Sequence, residues 1–179
     1  FKVPKDMLTS KKYAGEIYNQ IKENKLPEKA NVNVFEGEET THFSIVDKWG
    51  NAVSNTYTLN TAYGSGIIPT GTGILMNNEM DDFSSKPGHP NAYGLVGSKA
   101  NKIEPKKTPL SSMSPVIVFR EEKPYLITGS PGGSTIITSV LQEILNILDF
   151  QMSLEESSEK SRIHFQHLPN ILFHEQLDD

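Results

Sequence analysis

The chain has 179 residues, a length that fits about one domain. Its 17 basic and 22 acidic side chains leave a net charge of −5, which argues against gripping a nucleic-acid backbone. It has no cysteine, so disulfide frameworks, thiolate metal sites and a cysteine nucleophile are excluded.

No apolar run approaches the roughly 18 residues that span a bilayer. With 36% hydrophobic residues, 13 glycines and 11 prolines, the composition favours strands and loops over a helical bundle. The chain opens on Phe1, with no charged-then-apolar targeting segment, so a piece of a longer protein is expected.

Residues 1–25 predict one short helix. Ser10 is a candidate N-cap, and Tyr13, Ile17 and Ile21 form a single apolar stripe. Residues 26–39 carry Pro, Gly, Asn and an acidic cluster and predict a polar linker. From Thr40 the texture changes. Phe43 to Val46, the turn Lys48–Asn51 and the Val-, Thr- and Tyr-rich stretch Ala52–Leu59 predict a β-hairpin. Glycines 64, 66, 71 and 73 follow, then a short strand is expected at Ile74–Met76. Residues 77–113 read as a long irregular loop, a length more often functional than idle.

Two further strands are expected at Pro115–Phe119 and Pro124–Thr128. The run Gly129-Ser130-Pro131-Gly132-Gly133-Ser134 then leads into a helix with apolar positions from Ile136 to Leu148, wide enough to bury most of it. Ser153 and Glu156 have capping-box spacing and predict one more helix. Hairpin, loop, hairpin, helix, helix is the order of an α+β layered fold.

Four stretches carry possible chemistry. Gly132 and Gly133 sit between a strand and a helix, where backbone N–H groups and the helix dipole suit an oxyanion or phosphate. A tight connecting turn explains the same residues, and the missing lysine weighs against a phosphate loop. Residues 77–82 offer oxygen ligands without EF-hand spacing, so a solvated acidic turn or an amine site both remain. His164 and His167 lie three apart and would share a helix face, too little for zinc. Thr40, finally, would gain its own α-amine as general base if the chain were cut after Glu39; otherwise it simply starts a strand.

Together, TTHFSIVDKWGNAVSNTYTLNTAYGSG, GILMNNEMDDFS, PLSSMSP and GSPGGS, in this order, resemble the γ-glutamyltransferase family of N-terminal nucleophile hydrolases. The resemblance runs the length of the chain. Residues 1–39, with FKVP and LTS-x-x-YA, resemble the end of the family's large subunit. Residues 40–179 resemble most of its small subunit. The resemblance implies a partial αββα sandwich, self-cleavage before Thr40, and γ-glutamyl transfer or hydrolysis through a γ-glutamyl-threonine acyl-enzyme. Glutathione and related γ-glutamyl compounds would be donors, and water, amino acids or peptides acceptors.

By that resemblance Thr40 is the nucleophile, Thr58 its hydrogen-bond partner, and Gly132 and Gly133 the oxyanion donors. Asn60, Glu79 and Asp82 would hold the substrate α-amine, Ser111 and Ser112 its α-carboxylate. Tyr93 would close a lid towards Asn60. No cofactor, metal, nucleic acid or membrane span is implied. The remainder of the large subunit is the implied partner, and a periplasmic or extracellular location is expected. Two departures stand out. The family's carboxylate-binding arginine has no counterpart, since Arg120 and Arg162 fall outside that motif. Thr135 stands where relatives often carry arginine, a change expected to be tolerated. A cephalosporin acylase-like amidase and a catalytically silent fragment are the competing expectations.

Overall fold

The computed structural model describes residues 3–23, 28–31 (backbone), 39–91, 94–166 and 170–175. Helices α1 (Lys5–Leu8) and α2 (Lys11–Glu23) open the chain. The expected cap is present: the Tyr13 N–H donates to Ser10 Oγ at 3.1 Å. The α2 stripe finds no burial, and both Ile17 and Ile21 are exposed.

Within the expected linker lies a strand, β1 (Glu28–Asn31). It pairs parallel with β7 (Ile171–His174), which pairs antiparallel with β6 (Ile163–His164). Nothing in its composition announced β1, because its pairing partner lies about 140 residues away and no local pattern reports it. His164 accordingly sits on a strand and not on a helix, which corrects the expected shared face; His167 lies outside the described residues.

Two hairpins follow. Strands β2 (Thr40–Val46) and β3 (Ala52–Thr58) pair antiparallel in full register, Thr40 opposite Thr58. Their turn is fixed by Asp47, whose Oδ1 accepts from the N–H groups of Trp49 and Asn51, each at 2.9 Å. Strands β4 (Val116–Arg120) and β5 (Lys123–Thr128) form the second hairpin.

The hairpins pack against each other through polar side chains. Ser44 Oγ donates to Ile127 O at 3.1 Å and Ser54 Oγ to Thr128 O at 2.9 Å. Helix α3 (Ile136–Leu148) flanks them, with Thr128 Oγ1 bonded to the Glu143 carboxylate. Phe83, Leu126, Ile136 and Val140 form the buried apolar core, each contributing roughly 1.5–3 kcal/mol by burial.

Two expectations need correction. Ile74–Met76 is not a strand; it lies alongside Ser65–Ile67 with two backbone bonds, too few for a ladder. Helix α3 buries only Ile136, Ser139 and Val140, while Ile137, Leu141 and Leu145 stay exposed. The stripe is as wide as its sequence implies, but one side of it has no partner among the described residues. Ser153 begins α4 (Leu154–Glu159) with both bonds of a capping box, as expected. Among the described residues no helix is long and apolar enough to cross a membrane.

The β4–β5 turn is strained. Glu121 and Glu122 both have positive φ, 50° and 64°, the backbone of a type I′ turn that favours Asn-Gly. Glu121→Asn with Glu122→Gly is therefore expected to stabilise the protein by about 1–2 kcal/mol, read as a higher midpoint of thermal unfolding. An unchanged or lower midpoint would contradict this.

Candidate active site

The antiparallel register places Thr40 and Thr58 side by side, and the Thr40 hydroxyl donates to Thr58 Oγ1 at 3.1 Å. The Thr58 hydroxyl also accepts the Asn60 N–H at 2.9 Å and donates to the Glu39 carbonyl at 3.4 Å. It thus touches the residue on each side of the Glu39–Thr40 bond.

Asn60 is buried and held at φ 79°, an uncommon conformation for a residue other than glycine. Its Nδ2 donates to the Asn78 carbonyl at 3.3 Å. The Asn78 side chain ties the same loop by accepting from the Thr61 N–H and Oγ1.

A narrow cleft gathers residues from six separate stretches of sequence. Thr40, Thr58, Asn60, Glu79, Asp82, Ser111, Ser112 and Gly133 all line it, with Leu95, Met113, Ser134 and Ile136. Gly132 precedes Gly133 in the turn. The cleft adjoins a larger cavity of about 540 Å³ walled partly by Lys86, Pro90 and Val96, and Asp82, Leu95, Ser112 and Ser134 belong to both. Tyr93 lies outside the described residues.

Gly132 has φ 126° and Gly133 φ 57°, so both occupy backbone that side chains rarely tolerate. Successive backbone N–H groups in such a turn can suit a negative oxygen. Thr135 fixes it: its N–H and Oγ1 reach the Gly132 carbonyl at 3.1 and 2.8 Å. This role was invisible in the sequence, where Thr135 was only a departure.

The profile of the gamma-glutamyltranspeptidase family matches residues 1–178. The chain belongs to the γ-glutamyltranspeptidase family. It is 52% identical over 96% of its length to the glutathione hydrolase proenzyme of Escherichia coli, covering 30% of that protein. It is 59% identical over 75% of its length to the Pseudomonas aeruginosa counterpart, covering 24%. The chain therefore spans less than a third of the curated relatives it matches.

A Helicobacter pylori γ-glutamyltranspeptidase mutant matches in structure with TM-score 0.73 and 57% identity, over 76% of this chain and 73% of that one. The Bacillus anthracis transpeptidase CapD matches with TM-score 0.51 at 22% identity, over 78% and 68%, a likeness of fold. The fold is the α+β N-terminal nucleophile hydrolase sandwich, of which this chain forms a part.

Within this family framework the acidic run is a built feature and not a freely solvated turn. Glu79 and Asp82 are half-buried and hydrogen-bonded to each other. Burial, the bond to Asp82 and the charge of Asp82 together push Glu79 up to about 7. Burial also raises Asp82, opposed by the bond to Glu79 and reinforced by the charge of Asp81. Asn101 shapes the same turn, its Nδ2 donating to the Asp82 carbonyl at 2.6 Å.

Neither arginine reaches the cleft. Arg120 stacks 3.7 Å from the Tyr125 ring centroid, and Arg162 pairs with Glu175 at 2.8 Å. Among the described residues, no three His, Asp or Glu side chains converge as metal ligands.

The carboxyl pair predicts a pH effect. Unfolded, Glu79 titrates near its ordinary 4.5; folded, near 7. Between these values the folded state holds more protons. Stability from this group is thus full below the unfolded value and lost as pH rises to about 7. Glu79→Gln is expected to flatten that part of the curve of melting temperature against pH. An unaltered slope would show that the pair does not share a proton.

Proposed function

We propose that this chain carries the nucleophile and γ-glutamyl pocket of an enzyme that hydrolyses glutathione and transfers γ-glutamyl groups. One observation carries the proposal: a single cleft joins the Thr40–Thr58 hydroxyl pair, the Gly132–Gly133 turn, two carboxylates and two serines. The names of the relatives, glutathione hydrolase proenzymes, support the donor class.

Maturation comes first. Thr40 Oγ attacks the Glu39 carbonyl carbon, and the acyl group moves from nitrogen to oxygen as an ester. Water hydrolyses the ester, leaving a Glu39 carboxylate and a free Thr40 amine. The boundary between large-subunit segment (1–39) and small-subunit region (40–179) is this bond. The freed amine then serves as general base, taking the hydroxyl proton as Thr40 Oγ attacks the γ-carbonyl of the donor. N–H groups of Gly132 and Gly133 hold the tetrahedral oxyanion. The leaving amine receives the proton and departs, and the γ-glutamyl ester passes to water or to an amino-acid or peptide amine.

Selection rests on the opposite end of the donor. Asp82, Glu79 and Asn60 take the α-ammonium, whose positive charge replaces the shared proton. Ser111 and Ser112 take the α-carboxylate. The cleft holds no guanidinium among the described residues, so the remainder of the large subunit supplies the carboxylate's cation and the isolated chain is silent. The α-amine pocket favours this activity over a cephalosporin acylase-like amidase. A periplasmic or extracellular location completes the proposal, and fractionation of expressing cells tests it.

The test is maturation of the full-length protein. Intact-mass measurement should show two chains, the smaller beginning at Thr40, and the matured protein should release glutamate from glutathione. A single uncut chain with full turnover, or a new terminus elsewhere, overturns the proposal.

A further inference from the structure

Gly129 poses a packing question. It is not in the left-handed region, so its backbone does not call for glycine. Its neighbour does. A Cβ at this position would lie 2.2 Å from both Cε1 and Nδ1 of His42. Such a contact is far inside van der Waals distance, so the imidazole occupies the space a side chain would fill. The chain thus brings the His42 ring directly against the first residue of the turn that ends in Gly132 and Gly133.

His42 itself lies two residues beyond Thr40 on β2, on the same face of the strand. Its ring is fixed at both nitrogens. Nδ1 lies 2.9 Å from Thr56 Oγ1 and Nε2 3.1 Å from Ser44 Oγ. The Ser44 hydroxyl has one proton and donates it to Ile127 O. It must therefore accept from His42, which assigns the proton to Nε2. Nδ1 of the neutral ring then accepts from the Thr56 hydroxyl. Burial, the larger effect, lowers the pKa of His42 against an opposing pull from Glu143, which keeps the ring neutral at pH 7. An ordered chain runs from Thr56 on β3, through His42 and Ser44 on β2, to Ile127 on β5, two residues before Gly129.

We propose that His42 is a positioning residue for the reaction at Thr40: its ring, bonded at both nitrogens, sets the spacing between the strand carrying the nucleophile and the turn carrying the oxyanion donors. The proposal rests on the acyl-transfer function above. His42 touches neither substrate nor the reacting atoms. It acts as a spacer of fixed thickness, bonded on the β2–β3 side and in bare contact on the Gly129 side. Nucleophile and oxyanion donors must face one carbonyl carbon together, and an error of about 1 Å in such an arrangement can cost on the order of 100-fold in rate.

The test is a bump-and-hole cycle in the full-length protein, with activity on a γ-glutamyl anilide normalised to the amount of matured small subunit. Gly129→Ala presses a methyl into the ring, and His42→Ala removes the ring. Each should lower kcat roughly 10- to 100-fold while KM changes by less than about threefold, because the amine-binding end is untouched. The double variant His42→Ala/Gly129→Ala refills part of the gap and should exceed both single variants in kcat. His42→Gln, which keeps an N–H near the Nε2 position, should exceed His42→Ala.

If Gly129→Ala does not accumulate as folded protein, the comparison of His42→Gln with His42→Ala decides. Unchanged kcat in the single variants overturns the proposal. So does a double variant no better than the worse single one, or activity loss that tracks melting temperature with kcat and KM moving together. Thr40→Ala is run in parallel. Turnover by that variant overturns the acyl-transfer function itself, whereas an inactive Thr40→Ala with no rescue at 42 and 129 overturns only the positioning role.

Discussion

Thr40→Ala in the full-length protein is expected to abolish both maturation and turnover. In the proposed mechanism one hydroxyl serves both steps: it attacks the Glu39 carbonyl once and the donor carbonyl in every cycle. The hydroxyl bonded to it is not placed to replace it. Thr58, 3.1 Å away, already accepts the Asn60 N–H and donates to Glu39 O, and it has no α-amine to gain. Losing the nucleophile from a catalytic unit of this kind costs on the order of 10⁴- to 10⁶-fold.

Thr40→Ser keeps the hydroxyl and should retain both activities at reduced rate. The lost methyl frees a side chain that β-branching otherwise holds in few rotamers. Intact mass after overnight incubation reads the first step, and anilide release reads the second. A Thr40→Ala protein that still splits into two chains would remove Thr40 from the mechanism.

Much of this site was legible in the sequence because its parts are local. The β2–β3 hairpin follows from alternating Val, Thr and Tyr around an Asp-x-x-Gly-Asn turn, and that pairing puts Thr40 opposite Thr58. Two adjacent glycines before an apolar helix announce a special turn whatever the family. The carboxylates at 79 and 82 are one helical turn apart, so a tight 3₁₀ segment brings them together.

What stayed hidden is non-local. Strand β1 depends on β7 for its existence, and no property of residues 28–31 reports that pairing. The exposed side of α3 looked like core because an apolar stripe records where burial is needed, not what covers it. In the sequence His42 is one residue of a motif and signals no role of its own. Its meaning lies in contact with Gly129, 87 positions later, which only three dimensions reveal. Thr135 passed as a tolerated exception, yet its hydroxyl holds the Gly132 carbonyl.

Gly132→Ala is expected to cut kcat by about 100- to 1,000-fold with little change in KM, the loss typical of one removed oxyanion donor. Two effects combine. At φ 126° a methyl is strained against the neighbouring backbone, so the turn must rotate towards a conformation alanine accepts. That rotation swings the Gly132–Gly133 peptide plane, and with it an N–H that the proposed mechanism assigns to the developing negative oxygen.

The carbonyl side of the same residue resists, because Thr135 holds it with both its N–H and its hydroxyl. The strain therefore concentrates in the turn and spares helix α3. In the proposed mechanism the donor is held through Asp82, Glu79, Ser111 and Ser112, none of which this substitution changes, so binding should persist. The expected signature is a kcat loss shared by hydrolysis and transfer, since both pass through an oxyanion in the proposed mechanism, with the melting temperature nearly intact. If Gly132→Ala instead raises KM and leaves kcat alone, this turn binds substrate and stabilises no transition state, and the oxyanion donors must be sought elsewhere around Thr40.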